Sequence, residues 1–345
     1  MSYSNSIIII ILGVIALVGV KKQDSDQTLS IEQSMCIKGM AAIILVLVHI
    51  KNALVYPGIY SVFSSTGFLF VAIFFFYSGY GIALKTYADE KYIRNKLPKK
   101  IIDLVLMVVS TEIIYLIADV LLFHKTYTIS QTVCALLGVN LLNGAMWYII
   151  ALLIIYTTTV CFNHMWKSGG VLSLSVVSVM MYVAISIIRG RAPHELQSCV
   201  AYLLGVKYAQ RKSESNYVNI NGGIVCVVGI VSFVAPYIVR HFWYDYFFVR
   251  VICGSICSIA FIEILLYVLS RIAFKNSVLL FIGKISTEIY LSHQLIIRIL
   301  SFYFPGWFST NNSILLTIVI LLVTVIVSKL IAKIRRMIKE KKKRS

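Results

Sequence analysis

The chain has 345 residues, of which 59% are hydrophobic and only 13% charged, with a mean hydropathy of +0.87. Those proportions exclude an ordinary soluble domain. Apolar runs of roughly twenty residues recur along the whole length, the mark of a polytopic membrane protein. A net charge of +18 would suit nucleic acid, but the basic residues lie in short segments between apolar runs; that is the positive-inside distribution, and it argues against nucleic acid as a partner.

The first apolar run, residues 7–20 of "MSYSNSIIIIILGVIALVGVKK", has the look of a signal h-region. Nothing basic precedes it and no small-x-small cleavage pattern follows, whereas Lys21 and Lys22 do. It reads as an uncleaved helix with its start outside. A polar linker then leads to apolar segments at about 38–56, 66–84, 101–123, 132–163, 171–188, 197–208, 220–239, 247–269, 279–301 and 313–332. The 132–163 run exceeds one crossing of roughly 20 residues. Its "GVNLLNGAMW" interruption suggests a broken or re-entrant lead-in to a helix starting near Trp147. The 197–208 run is short and needs its flanks to complete a crossing.

The expected fold is therefore all-α, a polytopic integral membrane protein of about eleven transmembrane helices. Its organisation reads as an N-terminal helix and linker (1–35), a membrane domain (36–332) and a basic tail (333–345). The loops placed inside hold "KTYADEKYIRNKLPKK", "KYAQRKSE", "SRIAFKN" and "KIRRMIKEKKKRS". The loops placed outside hold few basic residues: Lys51, Lys125, Arg189, Arg191 and Arg240. Outside loops "RHFWYDYFF" and "FYFPGWFSTNN" offer rings that could stack on sugars, though an aromatic belt at the headgroups explains them more simply. The seven cysteines, Cys36, Cys134, Cys161, Cys199, Cys226, Cys253 and Cys257, are odd in number and mostly inside apolar runs. They read as small packing residues, with no disulfide framework and no metal-ligand spacing.

The stretch "KGMAAIILVLVHIKN" sets the functional question. Lys38 and His49 are eleven positions apart, a rotation of about 1100°, three turns plus about 20°, so they share a helix face. His49 lies about 16 Å deeper than Lys38, near the midplane. Only apolar residues lie between them, so the imidazole needs a partner on another helix or a wet cavity. A neutral ring at that depth suits a general base, or a nucleophile that relays a group; packing alone is the competing account.

Other polar residues recur at membrane depth. Glu112 falls mid-helix, with Tyr115 and Asp119 on the same face. It could orient His49, pair with another buried base, or make a structural hydrogen bond between helices. Late in the chain, Lys284, Glu288 and Ser292 follow at spacings of four, and Ser286 shares a face with His293. A second buried histidine could serve the acceptor or a relay, or be satisfied by a backbone carbonyl. Ser78 and Gly79 permit close helix approach. Asn143, Trp147 and Tyr148 sit at the break in the long run, where they could line an acceptor entrance or anchor the interface. Lys85, Lys91, Arg94, Lys96, Lys99 and Lys100 form a basic inner loop, suited to anionic lipid or to phosphates. "GKIS" at 283–286 lacks the first glycine of a P-loop.

A basic residue, ten intervening residues and a histidine in the first core helix resemble the membrane acyltransferase-3 family, which O-acylates sugars. That family usually has arginine at the first position; Lys38 keeps the charge and loses the planar fork. Five other motifs follow in order. "FFFYSGYGIAL" resembles its "F-F-x-x-S-G-F/Y" helix, and "KYIRNKLPKKI" its basic loop, with Lys96 and Lys99 in the two arginine places. "MWYIIALLIIY" and "AYLLGVKYA" resemble its Trp-Phe/Tyr and glycine-containing helices, and "IGKISTEIYLSHQLI" its "S-x-x-I-Y-L-x-H" signature.

The likeness covers about 36–332 and implies a cell-membrane O-acyltransferase. Its donor would be cytoplasmic acyl-CoA, with acetyl-CoA as the expected form, and no permanently bound cofactor. Its acceptor would be a hydroxyl of an envelope glycan or sugar, with other envelope-assembly proteins as further partners. On this reading His49, Lys38, Glu288 and His293 form the catalytic set. Lys38, Lys96, Lys99 and Arg94 hold the donor, and Asn143, Trp147, Tyr148 and Glu112 face the acceptor. The alternative is a transporter of a polysaccharide or small solute, with His49, Glu112, Glu288 and His293 as a proton relay; no internal repeat supports it.

Overall fold

The computed structural model describes residues 4–23, 29–165, 170–214, 222–310 and 313–344. A short helix, α1 (Ser4–Leu17), precedes strand β1 (Val20–Lys22). The central pair follows, α2 (Ile31–Ala53) and α3 (Gly67–Ala88). One turn, α4 (Tyr92–Asn95), leads into α5 (Leu97–Phe123), and α6 (Ile129–Leu136) into α7 (Trp147–Met165). Next come α8 (Val171–Ile188), α9 (Pro193–Gln197), α10 (Val200–Ser213), α11 (Gly222–Phe242) and α12 (Phe247–Arg271). Strand β2 (Ile272–Phe274) precedes α13 (Ser277–Lys284), α14 (Ser286–Tyr303), α15 (Pro305–Phe308) and α16 (Ile314–Arg344).

Among the described residues, seven helices are long and apolar enough to cross a membrane. Each of the eleven expected apolar segments contains helix, but the remaining four fall short of that measure. α1 and α10 have 14 residues each, α11 counts only over Val227–Phe242, and the 279–301 run is two helices broken at Ile285. The lead-in before Trp147 is also confirmed as a break: α6 stops at Leu136, a short 3-10 turn covers Gly144–Met146, and α7 begins at Trp147. The basic tail does not leave the last helix, because α16 runs on through Arg344.

Helices form here because a bilayer interior offers no water to the backbone, so each segment must satisfy its own amides. What sorts them is how much side-chain surface each hides. The most apolar windows of α2 and α3 are 61% and 67% buried, against 28% for α16, so the lysine–histidine helix is central and α16 peripheral. α2 starts cleanly: the Ser30 side chain accepts from the Gln33 N–H (3.2 Å), with Glu32 in the first turn and Lys51 in the last, complementing the helix dipole. The Gln33 amide donates to the carbonyls of Leu269 (3.3 Å) and Ile272 (3.0 Å), tying that start to α12 and to the β1–β2 ribbon.

Glycine decides which helices reach the site. A Cβ on Gly283 would fall onto the Met35 carbonyl, and one on Gly39 onto the Leu279 carbonyl. α13 and α2 therefore touch backbone to backbone, as small residues allow in membranes. That crossing brings Lys38 and Lys284, each next in sequence to one of these glycines, to the same end of the bundle.

Candidate active site

A cavity of about 370 Å³ lies between α2, α3, α5, α7, α13 and α14. One end carries Lys38, Lys85, Lys100 and Lys284; the other carries Phe74, Ser78, Tyr148 and Tyr290. Lys85 and Phe74 are eleven residues apart on α3, so the cavity runs about 16 Å into the bundle.

The lysine end is uncompensated. No carboxylate lines it, and among the described residues none of its four lysines has a carboxylate partner. Their neighbours are rings instead. Lys38 Nζ sits 5.0 Å from the Tyr77 centroid and Lys85 Nζ 5.7 Å from that of Tyr92. Lys100 Nζ lies 4.8 Å from the Tyr156 centroid and donates to its hydroxyl (3.2 Å). Ring faces hold the ammonium groups in place without neutralising them, which leaves their charge available to an anion.

The expected donor-holding residues divide here. Lys38 lines the cavity, whereas Arg94, Lys96 and Lys99 are exposed and do not. Lys96 caps α5 and pairs with Asp89 at 2.9 Å. That bond holds the Asp89 carboxyl below the usual carboxylate range. Lys85, Lys100 and Lys284 line it with Lys38, and Lys85 and Lys284 lie on its exposed rim.

The deep end is closed by tyrosines. The Tyr148 hydroxyl donates to the Phe74 carbonyl (3.2 Å) and accepts from Ser78 Oγ (2.9 Å), while the Tyr290 hydroxyl donates to the Ala145 carbonyl. The two rings meet edge to face, centroids 5.8 Å apart. Tyr148, expected near an acceptor entrance, thus forms part of the floor of the cationic cavity.

Beyond that floor lies the histidine pair. The His293 ring is 6.1 Å from Tyr290, and the His49 ring 4.8 Å from His293. His49 faces α14 rather than lipid, with its Nδ1 3.2 Å from Gln294 Nε2. His293 is fully buried, with Nδ1 2.9 Å from the Ile289 carbonyl. The cavity thus stops one aromatic layer short of the histidines.

A chain of hydrogen bonds fixes Gln294. Glu112, fully buried, accepts from the backbone N–H groups of Leu142 (2.8 Å) and Asn143 (3.3 Å). Asn143 donates through Nδ2 to the Leu291 carbonyl (3.1 Å) and accepts from the Ala145 N–H through Oδ1 (3.1 Å). The same Ala145 N–H reaches Gln294 Oε1 (3.2 Å). Asn143 and Glu112 therefore shape the turn beside the histidines.

Trp147 lies elsewhere, 5.9 Å from the His194 ring, beside a shallow groove with Arg189, Arg191 and Glu195. Glu288 is not a cavity residue; Arg335 of α16 pairs with it at the bundle edge. Asp119, on the Glu112 face as expected, is buried and held by Arg298 and Tyr127. Gln294 was missed in the sequence, although a glutamine beside His293 in an apolar run is itself a signal.

Fold and site together define a multi-pass membrane protein with an internal histidine pair behind a cationic cleft. The family model of an acyltransferase domain, Acyl_transf_3, matches residues 34–333. The chain belongs to the acyltransferase-3 family and is a membrane acyltransferase. No curated protein and no solved structure matches it.

Proposed function

We propose that this protein moves an acyl group, acetyl as the simplest case, from cytoplasmic acyl-CoA to a hydroxyl of an envelope glycan or sugar in the cell membrane. The observation that carries the reading is the uncompensated lysine cleft. Four ammonium groups facing one cavity match the clustered phosphates of coenzyme A, and the depth of the cleft suits an extended thioester arm. The basic segments put that mouth on the cytoplasmic side. The arm then points at the Tyr148–Tyr290 floor, with His49 and His293 directly behind it. The acceptor comes from the opposite face.

In the reaction the acceptor oxygen bonds to the thioester carbonyl carbon, the carbon–sulfur bond breaks, and coenzyme A leaves as the thiol. The histidine pair serves this exchange. A proton-relay transporter would need movable carboxyl groups, whereas Glu112 is engaged by two backbone amides and Glu288 by Arg335.

The test is transfer of label from [acetyl-14C]CoA to carbohydrate in inverted membrane vesicles carrying the protein. Label in a saccharide product is the expected result; no transfer from acetyl-CoA or from longer acyl-CoAs overturns the reading. Within the same assay Lys100→Ala is expected to raise KM for the donor about 10-fold or more, since a charge-assisted hydrogen bond contributes about 1.5–3 kcal/mol. Its kcat is expected to stay near that of the unaltered protein, because Lys100 is at the mouth. Lys99→Ala, on the outer surface, is expected to leave KM unchanged.

A further inference from the structure

Two backbone groups decide where the protons sit on the histidine pair. The Ala145 N–H can only donate, and it reaches Gln294 Oε1 at 3.2 Å. That orients the amide, so Gln294 Nε2 is the group facing His49 Nδ1 at 3.2 Å, and it donates there. His49 Nδ1 is therefore an acceptor, and the neutral ring carries its proton on Nε2. For His293 the logic is reversed. The Ile289 carbonyl can only accept, so His293 Nδ1 donates to it at 2.9 Å, and the lone pair is on Nε2. That nitrogen is buried and has no hydrogen-bond partner. A buried orphan acceptor is costly, and a site keeps one where a ligand supplies the missing donor. The ring centroids are 4.8 Å apart, so a ring that donates through Nε2 and a ring that accepts through Nε2 are neighbours.

We infer that the pair divides the work: His293 Nε2 is the base for the acceptor hydroxyl, His49 Nε2–H is the donor to the thioester carbonyl oxygen, and Gln294 is the positioning residue that fixes His49 in that tautomer. This rests on the acyl-transfer reading above. As the acceptor oxygen bonds to the carbonyl carbon, its proton passes to His293 Nε2, and the negative charge on the carbonyl oxygen is met by His49 Nε2–H. When the carbon–sulfur bond breaks, His293 returns that proton to the departing sulfur. Both rings end as they began, and His49 keeps its proton throughout. A neutral imidazole can act as such an electrophile. His49 is partly exposed and His293 fully buried, so an acceptor meets His49 first.

The test uses the full-length protein in micelles, labelled with 15N-histidine, with resonances assigned by His49→Asn and His293→Gln. Long-range 15N–1H correlation is expected to show His49 protonated on Nε2 and His293 on Nδ1. In Gln294→Glu, whose carboxylate can only accept, His49 is expected to switch to the Nδ1–H form. His293→Gln is expected to lower kcat about 10²–10⁴-fold, the range for a lost general base, with little change in KM for the donor. Reversed tautomers in the unaltered protein, or full kcat in His293→Gln, overturn the assignment. Absence of acyl transfer in the unaltered protein overturns the underlying reading instead, so the two failures are distinct.

Discussion

His49→Ala is expected to lower kcat for acyl transfer by about 10²–10³-fold or more, the loss seen when one donor to a developing oxyanion is removed. Membrane insertion and abundance are expected to stay unchanged. The side chain is partly exposed and makes one hydrogen bond, to Gln294, so its truncation costs about 0.5–1.5 kcal/mol of stability. His49→Gln sharpens the reading. Glutamine keeps an N–H donor and has no titratable nitrogen, so it is expected to retain part of the rate if His49 donates. If His49 were a base or an acyl relay, glutamine would be as inactive as alanine. The measurement is initial-rate transfer at saturating donor, normalised to protein recovered in the membrane. Unaltered turnover in His49→Ala would remove the site.

Glu112→Leu is expected to damage both stability and activity. Its carboxylate, buried without accessible surface, is the acceptor for two backbone N–H groups in the turn before α7. Leucine leaves both without that acceptor, the Asn143 N–H within a fully buried residue. Each such group costs about 1–3 kcal/mol, so the total is about 2–6 kcal/mol. The damage extends to the chemistry, because that turn presents the Ala145 N–H to Gln294, and Gln294 holds His49. Thermal unfolding in detergent is expected to show a clear fall in Tm, and transfer assays a fall in kcat. Glu112→Gln, which keeps one acceptor oxygen, is expected to lie between. A Glu112→Leu protein that melts like the unaltered one would show that the turn stands without this carboxylate.

Much of the architecture was legible in the amino-acid sequence, because a bilayer imposes few solutions on a chain. Apolar runs must become helices, so their positions follow from hydropathy, including the interruption before Trp147. His49 was visible for the same reason: nothing on its own helix could satisfy it, so a partner had to exist. The face shared by Glu112, Tyr115 and Asp119 followed from helical spacing, and all three are buried.

The cavity wall was harder to read. In a stretch with six basic residues, composition alone cannot tell inward from outward. The join between α4 and α5 places Lys96 at a helix cap beside Asp89 and turns Lys100 onto Tyr156. The break at Ile285 was not read either, although Gly283, Lys284, Ser286 and Glu288 surround it; the backbone contact of Gly283 with Met35 goes with it.

The sequence by itself determined that this is a membrane-spanning helical protein of the acyltransferase-3 kind, with a charged residue and an imidazole on one helix face. Only the tertiary structure decided which lysines share a cavity, that two tyrosines close it, and that Gln294, 245 positions from His49, holds that ring. The reason is one of range. Hydropathy and helical spacing act between near neighbours in the chain, whereas a proton's place on a ring depends on partners that meet only when distant helices pack.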